Sequence, residues 1–457
     1  MFNPIVTAKI FSQLGNSSSL LPIAIKDAAH SAGMTTSSYI TGKEVEGKDR
    51  LIDEFGTQAI WIGGIPFYKK VIDLTLFKLA KHNPKIDTRL FKDEAILQKA
   101  YEHAPTEEIK KSIAKVSKNA AKVIAEQAKK TPQEIAEAVA NAAKNQKTFK
   151  GLALAKFIAA TALTLGSYAG LTTFRHKHTE KNIIKEIKKE EQAKKEEAFK
   201  GKQAQQIGSK PSFGGMNMAG LKDFMFDPVK NMMIVDGGIT TERLAESRNP
   251  QDFMGYVIKE GSFWFFMYFA GEQIQKFFEK RANSKHNKSI DLDIRALQDN
   301  KLKNYFKSGK AEASIKEFQK MQKPEEIYEF LCTNHNNLVV KMAKKSGIVK
   351  TYKKTGLVDT QQYIDIDAVK GVGEKLEKLY KQYQVANVSG EKIEDFISKT
   401  IKLKRGSILK NIGTCMGVLG VVVPGIMLAM RYMDKDNKEF AVKKQLQEKI
   451  QKQNIIA

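Results

Sequence analysis

The sequence predicts a mainly α-helical, membrane-anchored protein built as two tandem copies of one plan. Three observations predict it: two uncharged apolar stretches, at 157–174 and 412–430, helical apolar spacing through the polar regions between them, and four kinds of element that recur in the same order. Each copy is expected to hold an aromatic interfacial helix, a polar helical bundle, a transmembrane helix and a charged helix. The boundaries read as a leader at 1–39, a first copy at 40–199, a Gly-, Met- and Phe-rich linker at 200–238 and a second copy at 239–457.

The leader has no basic start followed by a continuous apolar core, so it does not read as a secretory signal. Phe2, Ile5, Ile10 and Phe11 would suit a short interfacial helix, but a disordered leader is the expectation.

The first apolar stretch, FIAATALTLGSYAGLTTF, has no charge over 18 residues and is bounded by Lys156 and by Arg175-His176-Lys177. The second, IGTCMGVLGVVVPGIMLAM, is bounded by Lys410 and Arg431. A helix satisfies its own backbone hydrogen bonds, so uncharged helices of this length are stable in lipid while flanking cations reach the headgroups. Small residues four apart, Ala162, Gly166 and Gly170 in one and Gly413 and Gly417 in the other, would let helix backbones pack closely there. Pro424 predicts a kink in the second stretch.

The duplication rests on order. Ile40-Thr41 precedes Lys48-Asp49-Arg50, as Ile239-Thr240 precedes Glu246-Ser247-Arg248; Glu54, Gly56 and Trp61 then match Glu260, Gly261 and Trp264. KHNPKIDTRLFKD at 81–93 resembles KHNKSIDLDIRALQD at 285–299, with two residues inserted. Lys150 and Lys156 precede the first apolar stretch as Lys404 and Lys410 precede the second, and a charged helix follows each, at 180–199 and 438–453. The runs around Trp61 and Trp264 are broken by charge before 18 residues, so both tryptophans are expected at the headgroup level. If those runs also cross the bilayer, both polar middles face one compartment; if not, they face opposite ones.

Helices are expected at 88–103, 106–130 and 132–146 in the first polar middle, and at 293–306, 311–321, 325–345, 367–384 and 390–403 in the second. Thr131-Pro132-Gln133-Glu134 is a start signal. β-branched alternation at 348–364 around Lys354-Thr355-Gly356 allows a small hairpin. In the linker, Met216, Met218, Met225, Met232 and Met233 lie among phenylalanines and suit packing against the protein itself.

The charge balance, 76 Lys and Arg against 51 Asp and Glu for a net +25, favours anionic partners. Lysine dominates the excess, which argues against nucleic acid, where Arg forks recognise bases and phosphates. Two cysteines, Cys332 and Cys415, exclude a disulfide framework. Cys332 and His335 lie one turn apart without a second ligand pair, and His176 and His178 point to different helix faces, so no metal or other cofactor is expected. Asp291, Asp293, Asp365 and Asp367 read as helix caps rather than a calcium loop, and Gly371 and Gly373 follow no strand. No P-loop, nucleophile elbow or HExxH is present, so no enzyme and no catalytic residue is assigned.

The resulting expectation is a non-enzymatic integral membrane scaffold in which Lys185, Lys188, Lys189, Lys194 and Lys195 contact anionic lipid or an acidic protein partner. The alternative is an oligomeric pore or transport component, although neither apolar stretch contains the charge that would mark an ion path. A second alternative is an enzyme without a recognisable motif.

Overall fold

A computed structural model of the chain describes residues 3–16, 19–104, 132–194, 228–248, 250–352, 355–433, 442–443, 446–448 and 450. The expected helix at 106–130, the Thr131 cap, Met216, Met218, Met225 and Lys195 lie outside them. Helix makes up 83% of the structure, and no strand forms among the described residues.

In chain order the helices are α1 (Pro4–Leu14), α2 (Leu20–Ala59), α3 (Ile65–Ile72), α4 (Glu94–Glu102), α5 (Pro132–Lys144), α6 (Gln146–Lys194), α7 (Pro228–Ala245), α8 (Pro250–Trp264), α9 (Gly271–His286), α10 (Ile294–Leu297), α11 (Asn300–Lys307), α12 (Lys310–Gln319), α13 (Pro324–Thr333), α14 (Leu338–Lys345), α15 (Ile366–Val388), α16 (Ile393–Gly417) and α17 (Val423–Met433). Wider π turns join some of them, at Ile60–Gly64, Phe265–Ala270 and Val418–Val422.

The leader is helical, contrary to expectation. Asn3 accepts a hydrogen bond from the Ile5 amide and Pro4 opens α1 at the position where its missing N–H costs nothing. Ser12 Oγ then donates to Asp293 Oδ2 at 2.5 Å, a long-range tie that no local signal announces. The chain is also already helical at Pro228, ten residues before the expected end of the linker. The expected helix at 325–345 is two, α13 and α14, because Asn337 caps the second by accepting from the Val339 amide. The hairpin reduces to one antiparallel bridge between Thr351 and Val358, with Gly356 turning at φ +68°.

The chain divides into two compact units, each drawing on both halves of the sequence. Unit 1 comprises 1–17, 72–156 and 274–410; unit 2 comprises 18–71, 157–273 and 411–457.

Unit 1 holds one continuous core. Phe77, Leu90, Phe91 and Phe149 from the first half pack in the same cluster as Tyr328, Leu331, Leu376 and Phe396 from the second. Lys99 on α4 bridges to Glu329 on α13 at 3.0 Å at the rim. One local device occurs twice. Asp87 caps a 3-10 turn by accepting from the Arg89 amide while its carboxylate takes Arg89 Nε at 3.0 Å, and Asp93 then caps α4. Asp293 caps α10 by accepting from the Arg295 amide while it takes Arg295 Nε at 3.2 Å, and Asp299 then caps α11.

Unit 2 is built from two helical hairpins and two long apolar helices. Residues 20–59 are helical throughout, yet Trp61 Nε1 donates to Asp27 Oδ2 at 2.9 Å and Gln58 Nε2 to Ser31 Oγ at 3.0 Å. Along a straight helix, residues 27 and 61 would stand about 50 Å apart. The helix therefore doubles back near residues 42–46 into two antiparallel arms. α7 and α8 pair in the same way, through Arg243 with Glu260 and Trp264 Nε1 with Thr240 Oγ1 at 3.1 Å.

The first arm of each hairpin lies against the apolar helix of the other half of the sequence. Arg431 Nη1 donates to Thr41 Oγ1 at 2.9 Å, and Gly33 meets the backbone of Gly420 so closely that a Cβ on Gly33 would run into the Gly420 carbonyl. On the other side, a Cβ on Gly238 of α7 would come within 2.6 Å of Leu165 on α6. The apolar helices Gln146–Lys188 and Ile393–Tyr432 are long and apolar enough to cross a membrane.

Pro424 acts through hydrogen bonding. In the π turn Val418–Val422 each carbonyl looks five residues ahead, as the Val423 amide does to Val418 O; the Leu419 carbonyl would look to Pro424, which has no N–H. His30 Nδ1 fills the vacancy, donating to Leu419 O at 2.9 Å.

Candidate functional site

The candidate site is a buried cluster of charged side chains inside unit 2. Spacing on each helix creates it. Asp49 and Asp53 lie four apart on the second arm of α2; Asp236, Thr240 and Arg243 lie four and seven apart on α7; Tyr256, Lys259 and Glu260 share one face of α8. Each set occupies the inward face, while Leu51, Phe55, Ile62, Phe253 and Val257 are exposed. Ionised side chains of soluble proteins lie mostly at the surface, so the buried charges are the informative half of this pattern.

At the centre, Asp53 receives Arg175 Nη1 at 3.0 Å and Arg243 Nη2 at 3.2 Å. Arg243 also reaches Glu260 at 2.5 Å and donates to Thr57 Oγ1 at 2.7 Å. Lys259 lies 2.8 Å from Glu54 and 3.3 Å from Glu260. Asp49 takes Arg248 at 2.9 Å and the Thr179 hydroxyl at 2.6 Å, and Arg175 Nη1 donates to Tyr256 OH at 2.8 Å. All of these carboxylates are buried. Pairing on this scale offsets desolvation, and removing one partner of such a pair costs about 3–5 kcal/mol because the other charge is left stranded.

Beside the cluster lies a cavity of about 20 Å³, lined among others by Asp27, His30, Glu54, Asp236 and Lys259. That volume admits a single water and no larger solute. Because the Leu419 carbonyl can only accept, His30 carries a proton on Nδ1, and its Nε2 has no hydrogen-bond partner among the described residues. Asp27 is held by Trp61 and Asp236 by the Tyr268 hydroxyl.

The predicted site residues fall in several places. Trp61 is buried, only 6% exposed, with its indole donated to Asp27; Trp264 is half-buried against Thr240. A Cβ on Gly166, Gly170, Gly413 or Gly417 would meet nothing within 4 Å, and Ala162 on the same helix is exposed. Close helix contact within unit 2 occurs instead at Gly33, Gly420 and Gly238. Lys185 and Lys188 are exposed on α6; the side chains of Lys189 and Lys194 and the whole of Lys195 lie outside the described residues.

The weaker sequence candidates are occupied. His335 Nδ1 accepts from Lys344 Nζ at 3.0 Å, and burial pushes the Cys332 thiol up to about 12. Asp293 and Asp365 cap α10 and α15 as expected, while Asp291 takes Lys378 at 3.0 Å. In the sequence Asp49, Glu54, Arg248 and Glu260 stand out only as duplication markers, and Asp27, His30, Asp53, Asp236, Arg243 and Lys259 belong to no motif. The missed signal is charge recurring at helical spacing on faces whose opposite side is apolar. Comparisons with protein families, with curated proteins and with solved structures find no match.

Proposed function

We propose that this chain is an integral membrane transport component whose buried ionisable cluster carries protons across the hydrophobic layer. The membrane reading is supported by the inverted pattern of unit 2, with charge inside and aromatic and aliphatic side chains outside, and by the two apolar helices, only 28% buried in their most apolar windows. A core helix of a soluble protein would be mostly enclosed.

The observation that carries the transport reading is His30. His30, with its unpartnered Nε2, and the carboxyl-bearing Asp27 and Asp236 line one cavity fit for a single water, and we read them as a short relay near Leu419, midway along the second apolar stretch. The size of the cavity selects the cargo: a proton can pass where a solvated ion cannot. Ionisable groups inside a membrane are costly and are retained for such work.

The duplication expected from the recurring order of elements would fit the same reading, since many transporters are built from repeats around a central site. The two hairpins, the twice-used Asp-Arg cap and the unit boundaries are consistent with it. Those boundaries fall at 71/72 and 156/157 in the first half and at 273/274 and 410/411 in the second. The scaffold reading is favoured by a different observation, the exposed Lys185 and Lys188 beyond the first apolar stretch.

The test is proton flux into liposomes carrying the purified full chain and an enclosed pH-sensitive dye. A flux reduced about tenfold or more in His30→Ala and in Asp27→Asn/Asp236→Asn, with both variants folded, is expected. Flux at the level of empty liposomes in the wild-type chain would overturn the transport reading and leave the scaffold.

A further inference from the structure

A groove in unit 1, between α9 and α16, is a second candidate site. It is an open groove of about 820 Å³, and its lining is strongly cationic. Lys288 and Lys399 both grip Glu391, at 2.8 and 2.9 Å, so the one lining carboxylate is already neutralised. Arg281, Lys285, Lys402 and Lys410 make no ion pair among the described residues, and all four are exposed. Four uncompensated cations converging on one cavity repel one another, and a multivalent anion relieves that repulsion.

Phe278, Ala282 and Leu403 make up an apolar part of the lining, and Lys410 Nζ stands over the Phe278 ring. Lys410 stands two residues before the second apolar stretch, and the neighbouring Leu409 and Phe277 are 55% and 58% exposed. Cations and apolar side chains lining one groove, beside further exposed apolar side chains, match a molecule that is anionic at one end and greasy at the other. A free polyanion such as nucleic acid would have no use for the apolar part of the lining.

We infer that this groove binds the phosphate headgroup of an anionic phospholipid. The inference rests on the membrane reading above, and it assigns a specific lipid contact to residues other than Lys185 and Lys188.

The full-length chain in neutral detergent is titrated with short-chain phosphatidylglycerol, with short-chain phosphatidylcholine, and with inorganic pyrophosphate, binding being read by calorimetry. Phosphatidylglycerol is expected to bind in preference to the other two. The variant carrying Gln at 281, 285, 402 and 410 should bind it at least about tenfold more weakly, while a control with Gln at the exposed Lys301, Lys307, Lys310 and Lys320 should bind like wild type. Should the fourfold variant fail to fold, Lys285→Gln/Lys402→Gln gives the same comparison. Equal weakening in variant and control, or no preference over phosphatidylcholine, overturns the site; tighter pyrophosphate binding overturns the lipid and assigns a soluble phosphate compound. Failure of the membrane reading itself shows separately, as a wild-type chain that stays in solution without detergent.

Discussion

At the scale of single residues, the glycines make the sharpest distinction. Gly33 and Gly166 look alike in sequence, each a small residue in a helix, but only Gly33 faces a backbone. Gly33→Ala must push α2 away from the Gly420 carbonyl and Pro424, an overpacking cost of about 1–3 kcal/mol. Thermal unfolding in detergent should show that loss for Gly33→Ala and no loss for Gly166→Ala; equal behaviour would contradict the close approach. Cys332 gives a second residue-scale prediction. A thiol at about 12 instead of 9 has about a thousandfold less thiolate at neutral pH. Maleimide should label native Cys332 about that much more slowly than the unfolded chain; rapid labelling of the folded chain would show the burial to be wrong. The apolar stretches were plain in the sequence because a run of uncharged residues is a local property. The role of His30 was not, because it answers a carbonyl 389 residues away that Pro424 leaves without a partner.

At the scale of elements, caps and hairpins decide where helices begin and turn. Asp87 and Asp299 are predicted to contribute about 1 kcal/mol each as N-caps, measurable as a loss in the Ala variants. Asp87 should also show a pH signature. Burial raises its carboxyl, but the hydrogen bonds and charge of Arg89 outweigh that and hold it below the usual carboxylate value. Its folded pKa is therefore depressed, so the stabilisation is present above the unfolded pKa of about 3.9 and fades as pH falls through the lower folded value. Wild type and Asp87→Ala should accordingly differ in melting temperature at neutral pH and converge in acid; a gap that widens in acid would reverse the assignment. The Asp caps at 293 and 365 were legible because a cap and its helix are neighbours in sequence. The fold-back of α2 was not, since Gly42 and Gly47 weaken a helix without stopping it as a proline would; contacts such as Trp61 with Asp27 define the reversal.

At the scale of the whole molecule, the shared core of unit 1 bears on topology. Phe91 and Phe149 belong to one cluster with Tyr328 and Leu331, and a single apolar core cannot be divided by a bilayer. Both polar middles should therefore lie in one compartment, the outcome in which the aromatic runs cross as well. Cysteines placed at the exposed Glu102 and Glu312 in a Cys332→Ser background should label from the same face of sealed vesicles. Labelling from opposite faces would require the core to be taken apart.

The sequence by itself determined the helical class, the two apolar helices and the recurring order of elements, because these depend on composition and spacing over a turn or a short run. Tertiary structure alone decided that the two halves share both units, and that scattered charges of α2, α6, α7 and α8 meet in one buried cluster. The physical reason is that a charge reads as exposed until a partner from a distant helix pairs with it, and that partner is fixed by packing, which no local window contains.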